Sequence, residues 1–404
     1  MPAPTLTVRL THSAERLVRM EHPWLYAQSI RSASRAGEAG DLAVIFDHKR
    51  ALLALGLWDP DSPIRIRVLH RGKPRPIDRS FFAERLRDAL ALRAGLSSQG
   101  TTGYRVVNGE SDGLPGLVLD RYETTLVLKL YTAAWLPHLA EVRAAIDSEL
   151  APERLVLRLA RAIARTTEER AGLADGAILA GPPLEAPIVF RENGLYFRCD
   201  PVHGQKTGFF LDQRENRARV GELARGKRAL NAFSYTGGFS LYAARGGAPS
   251  VVSLDSSRPA LDEALENFAL NANVPEVARA SHELVCEDAW SALARFAHER
   301  RRFELVVIDP PAFAKAKREV ATALSAYARL AELGCRVLAP GGELVIASCS
   351  ARVDADALAA AIRSGAARAE RRLGEWLRTA HASDHPVRFA EGAYLKCIWL
   401  RAEG

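Results

Sequence analysis

The sequence predicts an α/β fold in which a C-terminal doubly wound domain follows a small all-β unit and an α+β middle domain. Short β-like runs broken by turn residues fill the first segment, and a mixed pattern follows a Pro-rich basic stretch. From about Gly226 apolar strands alternate with longer helical patterns. This alternation is typical of a parallel sheet covered by helices on both faces. We therefore place the domains at residues 1–75, 76–185 and 186–404.

The whole chain has the composition of a folded globular protein. Its 404 residues exceed what one typical core holds, and 48% are hydrophobic while 25% are charged. No apolar run approaches the roughly 20 residues of a membrane-spanning helix. The stretch "MPAPTLTVRLTHSAERL" lacks the apolar core of a secretory signal. We therefore expect a cytoplasmic protein with no membrane partner.

The net charge and the spacing of the cysteines limit which partners and cofactors are expected. Lys plus Arg number 55 against 48 Asp plus Glu, a net charge of +7 that suits a phosphate-rich partner. The five cysteines are odd in number and scattered, unlike a disulfide framework or paired metal ligands. We predict free thiols and no metal site. The cysteines are Cys199, Cys286, Cys335, Cys349 and Cys397.

The first domain is predicted to contain three strands, at residues 41–47, 51–58 and 64–69. The preceding "RLVRMEHPWLY" interleaves basic residues with Trp24 and Tyr26. This mixture suits stacking and phosphate contact on RNA. Packing of both aromatic rings into the core is the alternative.

The middle domain is predicted to begin with a helix over residues 81–96, after a basic, Pro-rich linker over residues 71–80. Turn residues divide "YRVVNGESDGLPGLVLDRYETTLVLKLY" into three β-like runs, and an amphipathic helix follows near residues 136–150. The Arg-, Gly- and Pro-rich residues 158–183 are interpreted as a surface connection.

The third domain is predicted to alternate strands and helices. Such domains bind ligands at the carboxyl ends of their parallel strands, so residues at those ends are the site candidates. The predicted strands are residues 228–233, 250–254, 305–308 and 343–348, and the predicted helices are residues 239–245, 259–271, 290–298 and 320–338.

A glycine pair marks the first strand end, in "LNAFSYTGGFSLYAAR". Gly237 and Gly238 let the backbone approach a ligand closely, because no Cβ stands in the way. The pattern is not G-x-G-x-x-G, which argues against a dinucleotide. The predicted cofactor contacts of this motif are Phe233, Thr236, Gly237 and Gly238.

Acidic residues mark the next two strand ends. Asp255 in "VVSLDSS" is placed to accept hydrogen bonds from ribose hydroxyls, and Ser256 is grouped with it. Capping of the following helix is the alternative role for Asp255, but Ser256 or Ser257 can fill it. Asp288 in "CEDAW" is either a contact of an adenine amino group or a helix cap.

Two further strand ends carry the reactive candidates. Asp309 opens "DPPAFAKAK", where the prolines make the loop rigid, and Cys349 follows an apolar strand between two serines. A doubly wound sheet places these two loops side by side. The other four cysteines are predicted to be buried and inert.

The motifs "HGQKTGFFLDQRENR", "NAFSYTGGF", "DPPAFAK", "SCS", "DHP" and "YLK" occur in this order. In this the chain resembles the bacterial 23S ribosomal RNA cytosine-5 methyltransferases that carry an N-terminal PUA domain, over essentially its whole length. The resemblance implies a PUA-like barrel, a middle domain and a Rossmann-like class I methyltransferase domain. It also implies S-adenosylmethionine as cofactor and large-subunit ribosomal RNA as partner. The chain departs from the family pattern at Ala312 and around Tyr327.

The chemistry so implied is a covalent one. Cys349 adds to carbon 6 of cytosine, carbon 5 then accepts the methyl group, and Asp309 also contacts the base and the cofactor. Lys206, Lys315 and Lys396 are candidate sources of positive charge for the thiolate. The base that removes the C5 proton is left open. The predicted substrate contacts are Pro310, Pro311, Phe313, Lys315 and Arg214.

Two other functions stay open at this point. An exocyclic-amine methyltransferase would use Asp309 and Phe313 at an adenine N6 or guanine N2 and would not need Cys349. An RNA-binding assembly factor without transfer activity would need only the fold and the basic balance. A homodimer is also left open.

Overall fold

The computed structural model describes residues 5–314 and 316–403 and divides into two compact units. The first unit holds the residues up to Gly194, Cys199–Leu211 and Ser383–Phe389. The second unit holds Leu195–Arg198, Asp212–Ala382 and the residues from Ala390. Within the described residues, none of the helices is long and apolar enough to span a membrane.

The N-terminal part of the first unit is a six-stranded mixed sheet in the order β2-β6-β5-β4-β1-β3. Only β1 and β4 pair in parallel. The predicted strands are confirmed with small shifts, and a helix, α1, accompanies them, so the domain is not purely β. The elements are β1 (Thr5–Leu10), α1 (His12–Arg19), β2 (Trp24–Tyr26), β3 (Ile30–Ala33), β4 (Leu42–Phe46), β5 (Leu52–Trp58) and β6 (Ile64–Arg71).

Trp24 is held by contacts inside this unit. Its indole Nε1 donates to Glu110 Oε1 at 2.7 Å, and its ring packs edge-on against Phe389 at 5.0 Å between centroids. The ring is half-buried. The packing interpretation therefore suits Trp24 better than base stacking does.

The rest of the first unit contains a five-stranded sheet in the order β11-β10-β9-β8-β7. The predicted helix over residues 81–96 is two helices, of which the first begins where Asp78 accepts hydrogen bonds from Ser80 N and Phe81 N. The elements are α2 (Arg79–Ala91), α3 (Gly95–Ser98), β7 (Gly103–Asn108), β8 (Leu117–Tyr122), β9 (Thr125–Leu130), α4 (Leu139–Leu150), β10 (Arg154–Leu159), α5 (Arg161–Ala171), β11 (Ile178–Ala180) and β12 (Ile188–Glu192).

The predicted surface connection over residues 158–183 is wrong. This stretch holds the end of β10, all of α5 and β11, and β10 pairs with β9 in parallel. Leu155, Val156 and Leu157 of β10 are fully buried. Arg158 extends out of the sheet and forms an ion pair with Asp175 at 3.0 Å. The arginines of this stretch are the reason why its core strand was not predicted.

The second unit is built around a seven-stranded sheet in the order β16-β15-β14-β17-β18-β20-β19. Its strands are parallel except β20, which runs antiparallel to both neighbours. The strands are β13 (Leu195–Cys199, outside this sheet), β14 (Arg228–Ala232), β15 (Ser250–Asp255), β16 (Ser281–Cys286), β17 (Phe303–Ile308), β18 (Leu338–Ser348), β19 (Leu373–Thr379) and β20 (Lys396–Ala402).

Helices cover the sheet and confirm the predicted alternation. They are α6 (Arg214–Leu223), α7 (Gly238–Arg245), α8 (Arg258–Leu270), α9 (Pro275–Arg279), α10 (Ala289–His298), α11 (Val320–Val337) and α12 (Ala355–Arg368). Fully buried side chains such as Phe296, Tyr327 and Ile346 form the core between sheet and helices. Burial of this apolar surface stabilises the unit. Within residues 186–404, the strands β12, β13, β19 and β20 and the helices α6, α9 and α12 were not predicted.

The parallel register brings five strand ends, those of β14 to β18, to one edge of the sheet. Ala232 of β14 pairs with Ile308 of β17, and Ile308 pairs with Ile346 of β18. The loops that follow these strands therefore emerge side by side. This edge holds every strand-end residue singled out in the sequence.

Candidate active site

The loop after β14 is a tightly wound backbone cradle. Phe233, Tyr235 and Gly237 all have left-handed backbone angles, with φ of 59°, 47° and 77°. This conformation is costly for the two aromatic residues and marks a functional constraint. At Gly237 an added Cβ would lie 2.8 Å from Ala264 Cβ on α8, so glycine is required there for space as well as for φ.

The cradle presents polar groups that the protein itself does not satisfy. The hydroxyls of Ser234 and Thr236 are buried and have no hydrogen-bond partner within residues 5–314 and 316–403. The Thr236 carbonyl, by contrast, accepts from Asn267 Nδ2 at 2.9 Å, which ties the loop to α8. Buried hydroxyls are normally bonded, so this loop is suited to a polar ligand.

Asp255 stands at the end of β15 beside this cradle. Its half-buried carboxylate accepts from Tyr235 N at 2.8 Å and from Ser257 N at 2.9 Å. Each oxygen keeps a further lone pair, which can accept from a ribose hydroxyl. Ser257, as predicted, caps the next helix, while Ser256 is exposed.

Asp288 lies in the loop after β16 and caps α10. Its Oδ1 accepts from Ser291 N at 3.1 Å and from Ser291 Oγ at 3.2 Å. The residue is exposed, so its second oxygen stays accessible. Both roles considered for Asp288, cap and adenine contact, are therefore compatible.

Asp309 is the terminus of a relay of polar side chains that sequence reasoning missed. Its Oδ2 accepts from Gln213 Nε2 at 2.9 Å, and Gln213 Oε1 accepts from Asn216 Nδ2 at 2.6 Å. Asn216 Oδ1 accepts from Thr379 Oγ1 at 2.6 Å, which in turn accepts from Trp399 Nε1 at 2.8 Å. Because the indole can only donate, the relay fixes both amides and presents an N–H to Asp309.

The loop after Asp309 begins with buried Pro310 and exposed Pro311. The half-buried ring of Phe313 packs between two others, with centroids 5.0 Å from Tyr327 and 6.2 Å from Trp290. These contacts fix the loop against α10 and α11.

Two predicted substrate contacts remain, Lys315 and Arg214. Lys315 lies outside the described residues. Arg214 is only 1% exposed and pairs with Glu215 at 3.0 Å in the first turn of α6. It offers little surface to a large substrate.

Cys349 emerges half-buried at the end of β18, between fully buried Ser348 and Ser350. The buried Tyr327 hydroxyl donates to Ser348 Oγ at 2.8 Å and lies 3.3 Å from Ser350 Oγ. Ser350 Oγ also accepts from Ala314 N at 3.3 Å, which joins the Cys349 and Asp309 loops. Burial raises the pKa of Tyr327, which keeps this hydroxyl protonated. In the sequence, Tyr327 stands out only because the residues around it differ from the family pattern.

Lys396 places a cationic side chain beside Cys349. It pairs with Ser348 in the antiparallel register of β20 and β18. Its ammonium donates to the carbonyl oxygens of Ser350 at 2.6 Å and Tyr394 at 3.0 Å. Burial lowers the pKa of Lys396 to about 8, against an opposing effect of Cys349. Lys396, one of the three predicted charge sources, therefore interacts electrostatically with the thiol.

The other cysteines are in different surroundings. Cys199, Cys335 and Cys397 are buried, as predicted, and burial raises the pKa of Cys335 to about 12. Cys286 is exposed, so its predicted burial is wrong. The reason is that β16 is an edge strand of the sheet.

The comparisons with known proteins agree with this geometry. A family profile described as S-adenosylmethionine-dependent methyltransferase matches residues 129–372, and one described as a PUA-like domain matches residues 8–71. The chain is 48% identical to a ribosomal RNA large subunit methyltransferase of Deinococcus radiodurans, over 99% of this chain and 98% of that one. This chain belongs to the S-adenosylmethionine-dependent methyltransferases.

A second sequence relative and a solved structure agree with this assignment. The methyltransferase is 36% identical to ribosomal RNA large subunit methyltransferase I of Photobacterium profundum, over 97% of this chain and 98% of that one. A solved SAM-dependent methyltransferase from Streptococcus mutans has 20% identity and a TM-score of 0.82, covering 98% of this chain and 99% of that one. This structural likeness confirms the predicted fold.

The cofactor prediction is confirmed by the family as well. The residues of this edge fit S-adenosylmethionine, because the cradle offers unsatisfied hydroxyls and Asp255 offers acceptor positions for a ribose. The methyltransferase thus has its candidate cofactor residues and its reactive candidates on one edge of one sheet.

Proposed function

We propose that this methyltransferase methylates carbon 5 of a cytosine in large-subunit ribosomal RNA, with Cys349 as nucleophile. The names of its relatives support the RNA, and the net charge of +7 is compatible with it. The observation that carries the cytosine-5 chemistry is the position of Cys349. A half-buried thiol lies at the ligand-binding edge, held between two buried serines and electrostatically coupled to Lys396.

Cys349 makes carbon 5 reactive. Its thiolate adds to carbon 6 of the base, a C–S bond forms, and carbon 5 becomes enamine-like and nucleophilic. When bound, S-adenosylmethionine supplies the electrophilic methyl group that carbon 5 accepts. Loss of the C5 proton to a base then breaks the C–S bond and returns the thiolate of Cys349.

Lys396 supports the thiolate. A thiolate needs a nearby positive charge to form at neutral pH, and Lys396 supplies it from a position held by two backbone carbonyls. Both hydrogen-bond acceptors are neutral carbonyls, and the ammonium interacts electrostatically with the Cys349 thiol and the Asp354 carboxylate. Cys349 therefore reacts in a cationic environment.

Asp309 selects the base. Its Oδ2 receives the Gln213 amide, and the remaining lone pairs accept from the N4 amino group or a protonated N3 of cytosine. Uracil has a carbonyl in place of the amino group, which a carboxylate cannot hydrogen-bond. Because N3 of uracil also carries a proton, it is the N4 contact that favours cytosine over uracil.

The first domain, residues 1–75, is proposed as a further RNA contact, with domain boundaries after residues 75 and 185. A PUA-like profile matches most of that segment. The bases of single-stranded RNA are read by stacking and hydrogen bonds, and its phosphates by basic side chains. Arg16 of α1 is among the basic residues of this domain.

A trapping experiment tests the proposal. RNA with 5-fluorocytidine at the target position should give a methylated covalent adduct, because fluorine cannot leave as a cation. The adduct is detected as a band of lower mobility on a denaturing gel. Mass spectrometry should then map its attachment site to Cys349. Cys349→Ala should form no adduct with this RNA and should not methylate unmodified RNA. Cys335→Ala should do both.

Mapping of ribosomal RNA from cells with and without the gene identifies the product. We expect one 5-methylcytidine to be lost from the large-subunit RNA. If the lost mark is an exocyclic methylamine, the Cys349 mechanism is wrong. Asp309 and Phe313 would then become the centre of an amine-methylating site.

A further inference from the structure

Two histidines and a glutamate meet on the N-terminal domain. His12 begins α1, Glu15 lies three residues later on the same face, and His48 belongs to the turn between β4 and β5. One nitrogen or oxygen of each side chain lies within 4.8 Å of those of the other two. His48 Nδ1 is 3.0 Å from Glu15 Oε2, and the two imidazole centroids are 5.4 Å apart.

The turn that carries His48 is held in place before any ligand binds. Asp47 Oδ1 accepts from Lys49 N and Ala51 N, both at 2.9 Å, which fixes the turn. Asp47 Oδ2 forms an ion pair with Arg19 of α1 at 2.8 Å. The turn is thereby fastened to the helix that carries His12 and Glu15, so the three side chains are brought together by a rigid frame.

Burial and charge make this cluster unusual. The Glu15 side chain is 8% exposed and the His48 side chain is 49% exposed. A buried carboxylate is costly unless it is well paired, and its side-chain partner here is a single imidazole. The ion pair exists only when His48 is protonated. A divalent cation would neutralise the carboxylate and use the lone pairs of both imidazoles at once.

We propose that His12, Glu15 and His48 bind one divalent transition-metal ion of the zinc class, which fastens α1 to the β4–β5 turn. Two imidazoles and a carboxylate are ligands that Zn²⁺ and its neighbours favour. Zinc bonds of about 2 Å require the ligand atoms to lie within roughly 4 Å of one another, so the exposed imidazoles must move inward slightly. Water completes the coordination.

Cysteine spacing does not indicate this site, because none of the three ligands is a cysteine. A His-x-x-Glu pair on one helix is also too common to indicate a metal without its third ligand. Here the third ligand is 33 residues beyond Glu15 and is brought close by the sheet.

The test uses the full chain without an affinity tag, stripped with a chelator and titrated with Co²⁺. Visible d–d absorption should report one bound ion per chain, and Zn²⁺ should displace it. His48→Ala and Glu15→Gln should each weaken Co²⁺ binding at least about tenfold. Zn²⁺ should raise the melting temperature of the parent protein and not that of these variants.

The chain contains a matched control. His203 and Asp200 form an exposed pair with the same 3.0 Å separation but belong to no such cluster among the described residues. His203→Ala should bind Co²⁺ as the parent does. His12→Ala removes an exposed ring and serves if Glu15→Gln does not fold. Absence of saturable binding, or binding equal in the parent, His48→Ala and His12→Ala, would overturn the proposal.

Discussion

The ammonium nitrogen of Lys396 lies 2.6 Å from the carbonyl oxygen of Ser350, one residue beyond Cys349. Two backbone carbonyls hold this cation, and burial lowers its pKa to about 8. The methyltransferase thus bears the cost of a half-buried cation at its candidate nucleophile. A purely structural lysine would gain more from solvent or from a carboxylate partner.

Replacing Lys396 should raise the pKa of the Cys349 thiol. Lys396→Gln removes the positive charge, so the thiolate forms at higher pH, whereas Lys396→Arg keeps the charge. The measurement is the rate of Cys349 alkylation by iodoacetamide against pH, read by peptide mass spectrometry. The Gln variant should shift to higher pH and lose methyl transfer at neutral pH. An unshifted alkylation profile would show that Lys396 does not tune the thiol.

Gln213 should control the protonation of Asp309. Gln213→Glu places a second carboxylate where the Gln213 amide contacts Asp309 at 2.9 Å. The two carboxylates should then share a proton at neutral pH. Activity should fall and its pH profile should change shape. Gln213→Leu removes the donor without adding charge and should lower activity with little change in the profile. Identical profiles for Gln213→Glu and the parent would exclude the relay from catalysis.

Asp255 and Asp288 can be compared directly as cofactor contacts. Asp255→Asn should weaken S-adenosylmethionine binding by about ten- to a hundredfold, since it weakens acceptor bonds to the ribose and to the Tyr235 amide. Asp288→Asn, which alters an exposed helix cap, should change it less. Calorimetric titration with the cofactor measures both. Equal losses would assign Asp288 a contact as important as that of Asp255.

The sequence predicted the doubly wound domain and the strand-end residues because both follow from local patterns. Apolar periodicity locates the strands, and parallel strands bring Asp255, Asp309 and Cys349 to one edge. From the sequence Lys396 could only be named as one of three candidate cations, and Gln213 was missed, since both approach from distant segments. Lys396 reaches Cys349 only through the antiparallel pairing of β20 with β18, which no local pattern encodes. Tyr327 likewise acts across the α11–β18 packing.

Gly237→Ala should destabilise the cradle after β14. The φ of 77° costs a non-glycine residue about 1 kcal/mol, and the new Cβ meets Ala264 Cβ at 2.8 Å. Ala264→Gly removes the clash but not the strain. A double-mutant cycle from denaturant unfolding should therefore give a favourable coupling between the two changes. No coupling would mean that the backbone angle alone requires glycine.

His282 should make the second unit sensitive to acid. Its Nε2 lies 2.8 Å from Ser253 Oγ, its ring stacks on Phe268 at 3.7 Å, and burial lowers its pKa to about 4. The unfolded chain, with an ordinary histidine pKa, binds more protons between that value and about 6.5. The folded state is therefore destabilised as the pH falls through this window, and the effect is absent above it.

His282→Phe keeps a ring against Phe268 and removes the titrating group. The difference in melting temperature between about pH 7.5 and about pH 5 should therefore be smaller in this variant than in the parent. His298→Ala, which removes an exposed histidine, is the control and should keep the parental difference. The comparison also corrects for acidic groups, since these titrate alike in all three proteins. An undiminished difference in His282→Phe would show that His282 accepts a proton within the folded unit without cost.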